Sequence, residues 1–355
     1  MVKRKKSRED GDSESNDEAS ANGTLRCASH LSKRTTLRIT VGEQLLHAAN
    51  MGAVHGCYLK YVGLSAISYA GYHLVVGNIG PMESLSVGDA RILATSSGAG
   101  GGGGRGGYSD LLPLLRLGTA TYLGYSTLLN GTIAILFKMK KGMGMLGKNL
   151  EEGSIPLWSY LLFSPFHIPT YAYTYVHTLV GKMKVQDGSS KKKKKAPVPV
   201  ASMVQPGLWV GGCFAHRLNK QWAGIIDLTV EFPERCRDST LKYLCVPTWD
   251  GVPCSPEQLE HAANFAVEAK ENWMKLKEQG AVEGEPNILI HCAHGRGRST
   301  TVMCAAMVKM GMYANFEEAL EKGIKPGRPV CKLNAMMRKN LTEWQNIYVE
   351  GKKGL

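Results

Sequence analysis

No two of the nine cysteines in this 355-residue chain form a C-x-x-C pair, and none stands with histidines at a zinc-binding spacing. That lack excludes a disulfide scaffold and a zinc module. An odd count of scattered thiols fits a reducing compartment. The second half of the chain also lacks a basic surplus. Residues 206–355 carry 19 Lys and Arg against 17 Asp and Glu, whereas residues 1–205 carry 24 against 13. The net charge of +13 therefore belongs to the N-terminal half, and no nucleic-acid groove or nucleic-acid partner is expected on the C-terminal half. Apolar residues are not scarce: at 43% they exclude wholesale disorder. At roughly 150 residues per domain the length suits two domains.

Residues 1–38 open on Lys3-Arg4-Lys5-Lys6 and then hold almost nothing apolar, so a disordered tail is expected. The basic cluster is either a solvated tail or a nuclear import signal. No apolar h-region follows it, so a secretory signal is not expected. Residues 39–185 are expected to be mainly helical and membrane-associated, because they contain three uncharged apolar stretches, 61–80, 117–137 and 155–181. About 20 such residues match a bilayer core. Pro165 and Pro169 interrupt the third stretch, which reads as an interfacial or re-entrant hairpin. Basic residues before the first stretch (Lys33, Arg34, Arg38, Lys60) and after the second (Lys138, Lys140, Lys141, Lys148) suit two spans with both ends cytoplasmic. The C-terminal half would then face the cytosol. The competing reading is a set of buried helices in a soluble domain. Between the first two stretches, Gly98 to Gly107 is a glycine-rich loop without evident chemistry. Residues 186–205, with Lys191 to Lys195 and the Ala-Pro-Val-Pro-Val that follows, read as a linker. Its lysines repel one another and either meet anionic headgroups or simply solubilise the chain.

From Pro206 short buried strands (Leu208 to Val210, Gly224 to Val230, Leu244 to Val246, Ile288 to Ile290) alternate with helices. Ser255-Pro256-Glu257-Gln258 has the N-cap, first-turn proline and Gln of a capping box, and Asn315 with Glu317 and Glu318 opens another helix. The expected fold class is α/β: a domain over 206–350 with a central mixed sheet flanked by helices.

The stretch Asn287-Ile-Leu-Ile-His-Cys-Ala-His-Gly-Arg-Gly-Arg-Ser-Thr-Thr reads as a strand, a loop from Cys292 and a helix from about Arg298. Consecutive loop N–H groups at a helix N-terminus make an oxyanion and phosphate cradle. The same field favours Cys292 as a thiolate. Arg298 offers a planar fork for two phosphate oxygens. Gly295 and Gly297 permit the tight turn.

These residues resemble the His-Cys-x5-Arg-Ser/Thr signature of the cysteine-dependent protein tyrosine phosphatase superfamily, and the short domain resembles its dual-specificity branch. The resemblance implies that Cys292 attacks phosphorus to form a phosphocysteine. It implies that Arg298 and the backbone of Ala293, His294, Gly295, Arg296, Gly297 and Arg298 bind the phosphate. Ser299 would stabilise the departing thiolate and His291 would orient the loop. The implied general acid is Asp250, in Trp249-Asp250-Gly251, although it precedes Cys292 by 42 residues, more than the resemblance suggests. Glu231 and Glu234 rank behind it. No metal or other cofactor is expected, because thiolate, arginine and amides carry the charge. Cys213, Cys236, Cys245, Cys254, Cys304 and Cys331 read as small buried hydrophobes, one of which could pair with an oxidised Cys292.

His294 and Arg296 add positive groups beside Arg298, which suits strongly anionic substrates. The expected substrate is a phosphoprotein; the alternative is an anionic phospholipid, either a phosphoinositide or phosphatidylglycerophosphate. A non-catalytic phosphate-binding membrane scaffold is the rival from another class.

Overall fold

A computed structural model describes residues 54–77, 111–186 and 193–351. The basic tail and the Gly98 to Gly107 loop lie outside the described residues. Four helices come first: α1 (Val54–Gly77), α2 (Leu111–Lys138), α3 (Leu157–Leu162) and α4 (Ser164–Val180). A hairpin of β1 (Lys182–Gln186) and β2 (Lys193–Pro197) follows. Then come β3 (Ala201–Gln205), β4 (Leu208–Gly212), β5 (Trp222–Thr229), β6 (Thr240–Thr248), α5 (Pro256–Glu278), β7 (Ile288–Cys292) and α6 (Arg298–Lys309). The chain closes with α7 (Phe316–Glu318) and α8 (Ala335–Gln345), each continuing into a π-helical turn.

The five-stranded sheet runs β3-β4-β7-β5-β6. Only β3 is antiparallel to its neighbour; β4, β7, β5 and β6 are mutually parallel. This is the mixed sheet with flanking helices that the strand and helix pattern led us to expect. Alternation of side chains along a strand sends Ile288 and Ile290 into one core with Val302, Ala262 and Trp344. Leu289 points to the opposite face, against Trp222 and Ile225. Both faces are covered, so β5 and β7 are buried along their whole length. The helix signals read from sequence are local and hold. Ser255 Oγ accepts from the Gln258 amide at 3.2 Å while Gln258 Oε1 accepts from the Ser255 amide at 2.9 Å. Asn315 Oδ1 accepts from the Glu318 amide at 2.8 Å.

The N-terminal helices depart from expectation. Among the described residues no helix is long and apolar enough to cross a membrane. Residues 61–77 of the first uncharged stretch fall on α1, the rest of it lying outside the described residues, and the stretch 117–137 falls on α2; both helices begin earlier and take in Lys60 and Arg116. Their small polar residues face each other. Ser65 Oγ donates to the Thr127 carbonyl at 2.8 Å, Ser68 and Ser126 share a hydroxyl bond of 2.8 Å, and Gly71 admits Leu123. The third stretch forms two consecutive helices, α3 and α4, parted at Phe163 with Pro165 in the first turn of α4.

These helices pack on the sheet domain. Tyr61, Ile133, Phe137, Leu146 and Phe166 bury one cluster with Val230, Trp249 and Val252, which follow β5 and β6. Lys148, expected to flank a span on its cytoplasmic side, is instead buried, with its ammonium ion-paired to the buried Asp227 of β5. It also donates to the Thr229 carbonyl at 2.8 Å and the Phe232 carbonyl at 2.6 Å. Such a pair is stable only because every proton on the ammonium finds an acceptor.

The expected linker 186–205 is also structured at its described residues. Lys193 to Lys195 form part of β2, in antiparallel register with Gln186 to Lys184. Strand pairing supplies the backbone bonds that a lysine run alone could not. Farther along, Ala201–Gln205 is the sheet's edge strand, so the sheet domain begins before residue 206.

Candidate active site

Cys292 ends β7 and Arg298 begins α6, so the five residues between them turn at the carboxyl edge of the parallel strands. That edge is where open α/β sheets offer their crevice. The turn is held from behind. Arg328, fully buried, donates from Nε to the Gly295 carbonyl at 2.8 Å and from a terminal nitrogen to the His294 carbonyl at 3.2 Å. Its other terminal nitrogen bonds Ser202 Oγ and the Pro199 carbonyl, both at 3.0 Å. The Lys332 amide takes the Arg296 carbonyl at 2.8 Å, and the Thr301 amide takes that of Gly297 at 2.9 Å. With these carbonyls drawn outward, the amides turn inward. Those of Arg296 and Ser299 bond the Cys292 sulfur. Gly295 has φ +64°, and a Cβ there would lie 2.5 Å from the Gly211 backbone, so no other residue fits.

The Cys292 sulfur is buried and 3.4 Å from Ser299 Oγ. Burial alone would push the thiol up, but the Arg298 charge, the Ser299 hydroxyl and the two amides outweigh it and leave the thiol below its ordinary value. Arg298 is itself buried and held in place by Glu231, at 2.6 Å and 3.3 Å from its two terminal nitrogens. The Leu228 and Thr248 carbonyls accept from the same guanidinium at 2.9 Å and 2.5 Å. Its Nε is a buried donor without a partner among the described residues, as is Arg296 Nε. Buried donors of this kind call for an acceptor.

Asp250 lies on the loop after β6. Its Oδ1 is 3.5 Å from an Arg298 terminal nitrogen, and its Oδ2 is 3.5 Å from Lys60 Nζ and 3.8 Å from the Cys57 sulfur. Burial favours the neutral acid, but the cations Arg298 and Lys60 hold Asp250 below the usual carboxylate range. The cleft that joins Asp250 to Cys292 has a volume of about 640 Å³. Cys57, Tyr173 and His177 of the helical layer line it, together with Lys182 and Lys184 of β1.

His291 faces away from the cleft. Its Nε2 lies 2.5 Å from Glu234 and 3.8 Å from Asp227. Burial alone would lower its pKa, but these two carboxylates raise it to about 9, so it is an imidazolium at neutral pH. Asp227, Glu234 and His291 stand close enough to ligate a cation. The ammonium of Lys148 and the imidazolium of His291 already neutralise the two carboxylates.

The structure thus brings together Cys292, Ala293 to Arg298, Ser299 and Asp250 around one cleft, with His291 beneath the loop. One expectation is corrected: His294 adds no positive charge. Burial, with nearby cations, lowers its pKa to about 4, and its ring lies 4.5 Å from that of His177, tilted by 56°. Glu231 was expected only as a lower-ranked acid, not as the partner of Arg298; Lys60 and Lys148 were expected only as basic flanks of spans, and Arg328 was not expected at the site. An acidic residue directly after β5, beside the end of β7, was the one signal available for Glu231.

No family model matches the chain, and no curated protein matches it. Solved structures that resemble it include human DUSP28, at 19% identity over 42% of this chain and 95% of that one, with a TM-score of 0.33. PTPMT1 in complex with PI(5)P resembles it at 18% identity, over 43% of this chain and 99% of that one, with a TM-score of 0.33. DUSP15 resembles it at 24% identity, over 43% and 90%, with a TM-score of 0.32.

Proposed function

We propose that this chain is a phosphate monoester hydrolase of the cysteine-dependent phosphatase class. The observation that carries the reading is the Cys292 to Arg298 loop. It has a buried, stabilised sulfur at its centre and inward amides, and the buried Nε of Arg298 lacks an acceptor. A phosphoryl group seated there would have its equatorial oxygens held by the amides and Arg298. The Cys292 sulfur donates an electron pair to phosphorus as the P–O bond to the leaving group breaks. Asp250 gives that oxygen its proton. The resulting phosphocysteine is hydrolysed when Asp250 takes a proton from water, whose oxygen attacks phosphorus and expels the thiolate. Ser299 Oγ, at 3.4 Å, is positioned to stabilise the sulfur as it leaves.

The full chain is expected to hydrolyse 4-nitrophenyl phosphate in the presence of a chelator, and Cys292→Ser to reduce this to background. Activity that survives Cys292→Ser overturns the mechanism. Phosphoproteins are the substrate class we favour. A phospholipid headgroup is the second reading, supported by four cations on the cleft besides Arg298: Arg296, Lys182, Lys184 and Lys332. Comparing kcat/KM on phosphopeptides with that on phosphoinositides or phosphatidylglycerophosphate in micelles decides between them.

Adhesion to a membrane surface is part of the proposal, with the cleft on the cytosolic side. It is supported by exposed Leu111, Leu112, Leu114, Leu115 and Leu117 along α2, with exposed Lys138, Lys140 and Lys141 at its far end. Flotation of the chain with anionic vesicles, but not neutral ones, is the expected outcome; no flotation with either removes adhesion from the reading.

A further inference from the structure

The loop that carries Asp250 is bound by the helical layer at every residue from Trp249 to Val252 except Gly251. Trp249 is buried, its ring 5.8 Å from Phe137 of α2 and 5.9 Å from Phe166 of α4. Its indole N–H donates to the Lys141 carbonyl at 2.8 Å, just past α2. Val252 joins the same cluster. Asp250, between them, meets α1 directly through Lys60 Nζ and the Cys57 thiol.

We propose that Lys60, 190 residues upstream of Asp250, is a positioning residue for the reaction: it holds the Asp250 carboxyl over the Cys292 loop. The inference rests on the reading of Asp250 as the acid. Its physical basis is which oxygen each neighbour takes. Lys60 and Cys57 are donors, and both lie on Oδ2. Burial and the Asp250 carboxylate keep the Cys57 thiol protonated, so it donates as well. Oδ2 thus accepts two such bonds and Oδ1 only one, from Arg298 at 3.5 Å, so Oδ2 is the poorer site for a proton. The proton of the neutral acid therefore sits on Oδ1, the oxygen nearer Arg298 and the cradle. Lys60 is itself steadied by the Tyr173 ring, 4.4 Å beneath its ammonium.

The groups that face Asp250 are Arg298 from α6, His294 from the loop, Lys60, Cys57 and Tyr61 from α1, and His177 from α4. Of these only Arg298 and Lys60 carry charge at neutral pH, and both favour the carboxylate. Removing Lys60 removes one of two charges that keep the acid ionised, so the acid titrates higher.

The test is the pH dependence of kcat/KM for the full chain and its Lys60→Met variant, on phenyl phosphate and on 4-nitrophenyl phosphate. The expected result has two parts. The basic limb moves to higher pH by roughly half a unit to one unit, the scale of a partly exposed ion pair. Below the limb, phenyl phosphate loses roughly tenfold, part of the 10²–10⁴ that a positioned acid contributes, and the activated ester loses far less. Lys60→Arg restores both. In an Asp250→Asn background, Lys60→Met changes neither. An unmoved limb with equal losses on the two esters overturns the inference, and so does a Lys60→Met effect that persists without Asp250. Lys60→Gln serves if the Met variant unfolds. A wild-type chain inactive on both esters overturns the reading of the site instead.

Discussion

Charge pairs with nowhere else to go decide most of what individual residues do here. Arg298 and Glu231 are both buried, so replacing Glu231 with Ala strands a cation, at a cost of about 3–5 kcal/mol. Glu231→Ala is expected to lower stability to chemical denaturation by that order and to abolish turnover; a variant of wild-type stability would show that Arg298 does not depend on it. His291 offers a pH signature. Its pKa rises from 6.5 to about 9 on folding, so its pair with Glu234 stabilises fully below the unfolded value and fades as pH climbs through about 9. Glu234 and Asp227 are held low, so their share is present above the unfolded carboxylate range and is lost on acidification. The stability gap between wild type and His291→Asn should therefore narrow between pH 6.5 and 9.5 in thermal melts. A gap that widens over that interval assigns the proton elsewhere. The pairings that sequence reasoning missed share one property. Glu231 lies 67 residues from Arg298, Lys148 lies 79 from Asp227, and Lys60 lies 190 from Asp250. The Cys292 to Ser299 loop was legible because its chemistry is contiguous.

Among the elements, caps and strands were legible for the same reason: Ser255 finds its partner three residues on, and β7 opens on the apolar run Ile288 to Ile290 and leads straight into the loop. The helical character of α1 and α2 was legible as well, but not what covers them. An uncharged stretch of 20 residues reads alike whether lipid or protein covers it, and Ser65, Ser68, Gly71 and Ser126 revealed only in space that they face a partner helix. The lysine run misled for the opposite reason, since its repulsion is overcome by pairing with β1. At this scale the weight falls on Trp249. Trp249→Ala leaves a cavity among Phe137, Phe166 and Val252 and should cost about 3–5 kcal/mol. It should also impair phenyl phosphate hydrolysis more than that of the nitrophenyl ester, because Asp250 is the next residue. Equal impairment would separate the packing from the acid.

For the molecule as a whole, the helical layer is part of the folded unit: all the described residues fall in one compact unit that begins at Asn50. A fragment of residues 200–355 would uncover Val230, Trp249 and Val252 and leave Asp227 without Lys148. It is expected to be poorly soluble and nearly inactive, whereas residues 50–355 should retain the activity of the full chain; a fully active 200–355 fragment would show that the layer is dispensable. The surplus charge also resolves at this scale. It is concentrated on one side of the sequence, yet Lys60, Lys148, Lys182 and Lys184 come back to serve the other side.

The ion pair of Lys148 with Asp227 and the seat of Trp249 beneath Phe137 and Phe166 share a consequence. Covalent continuity between the layers is not what unites them. A protease site engineered between Gln186 and Lys193 would yield two polypeptides still bound as a heterodimer, each useless alone. Two separately expressed halves should regain activity on mixing, as a split enzyme does.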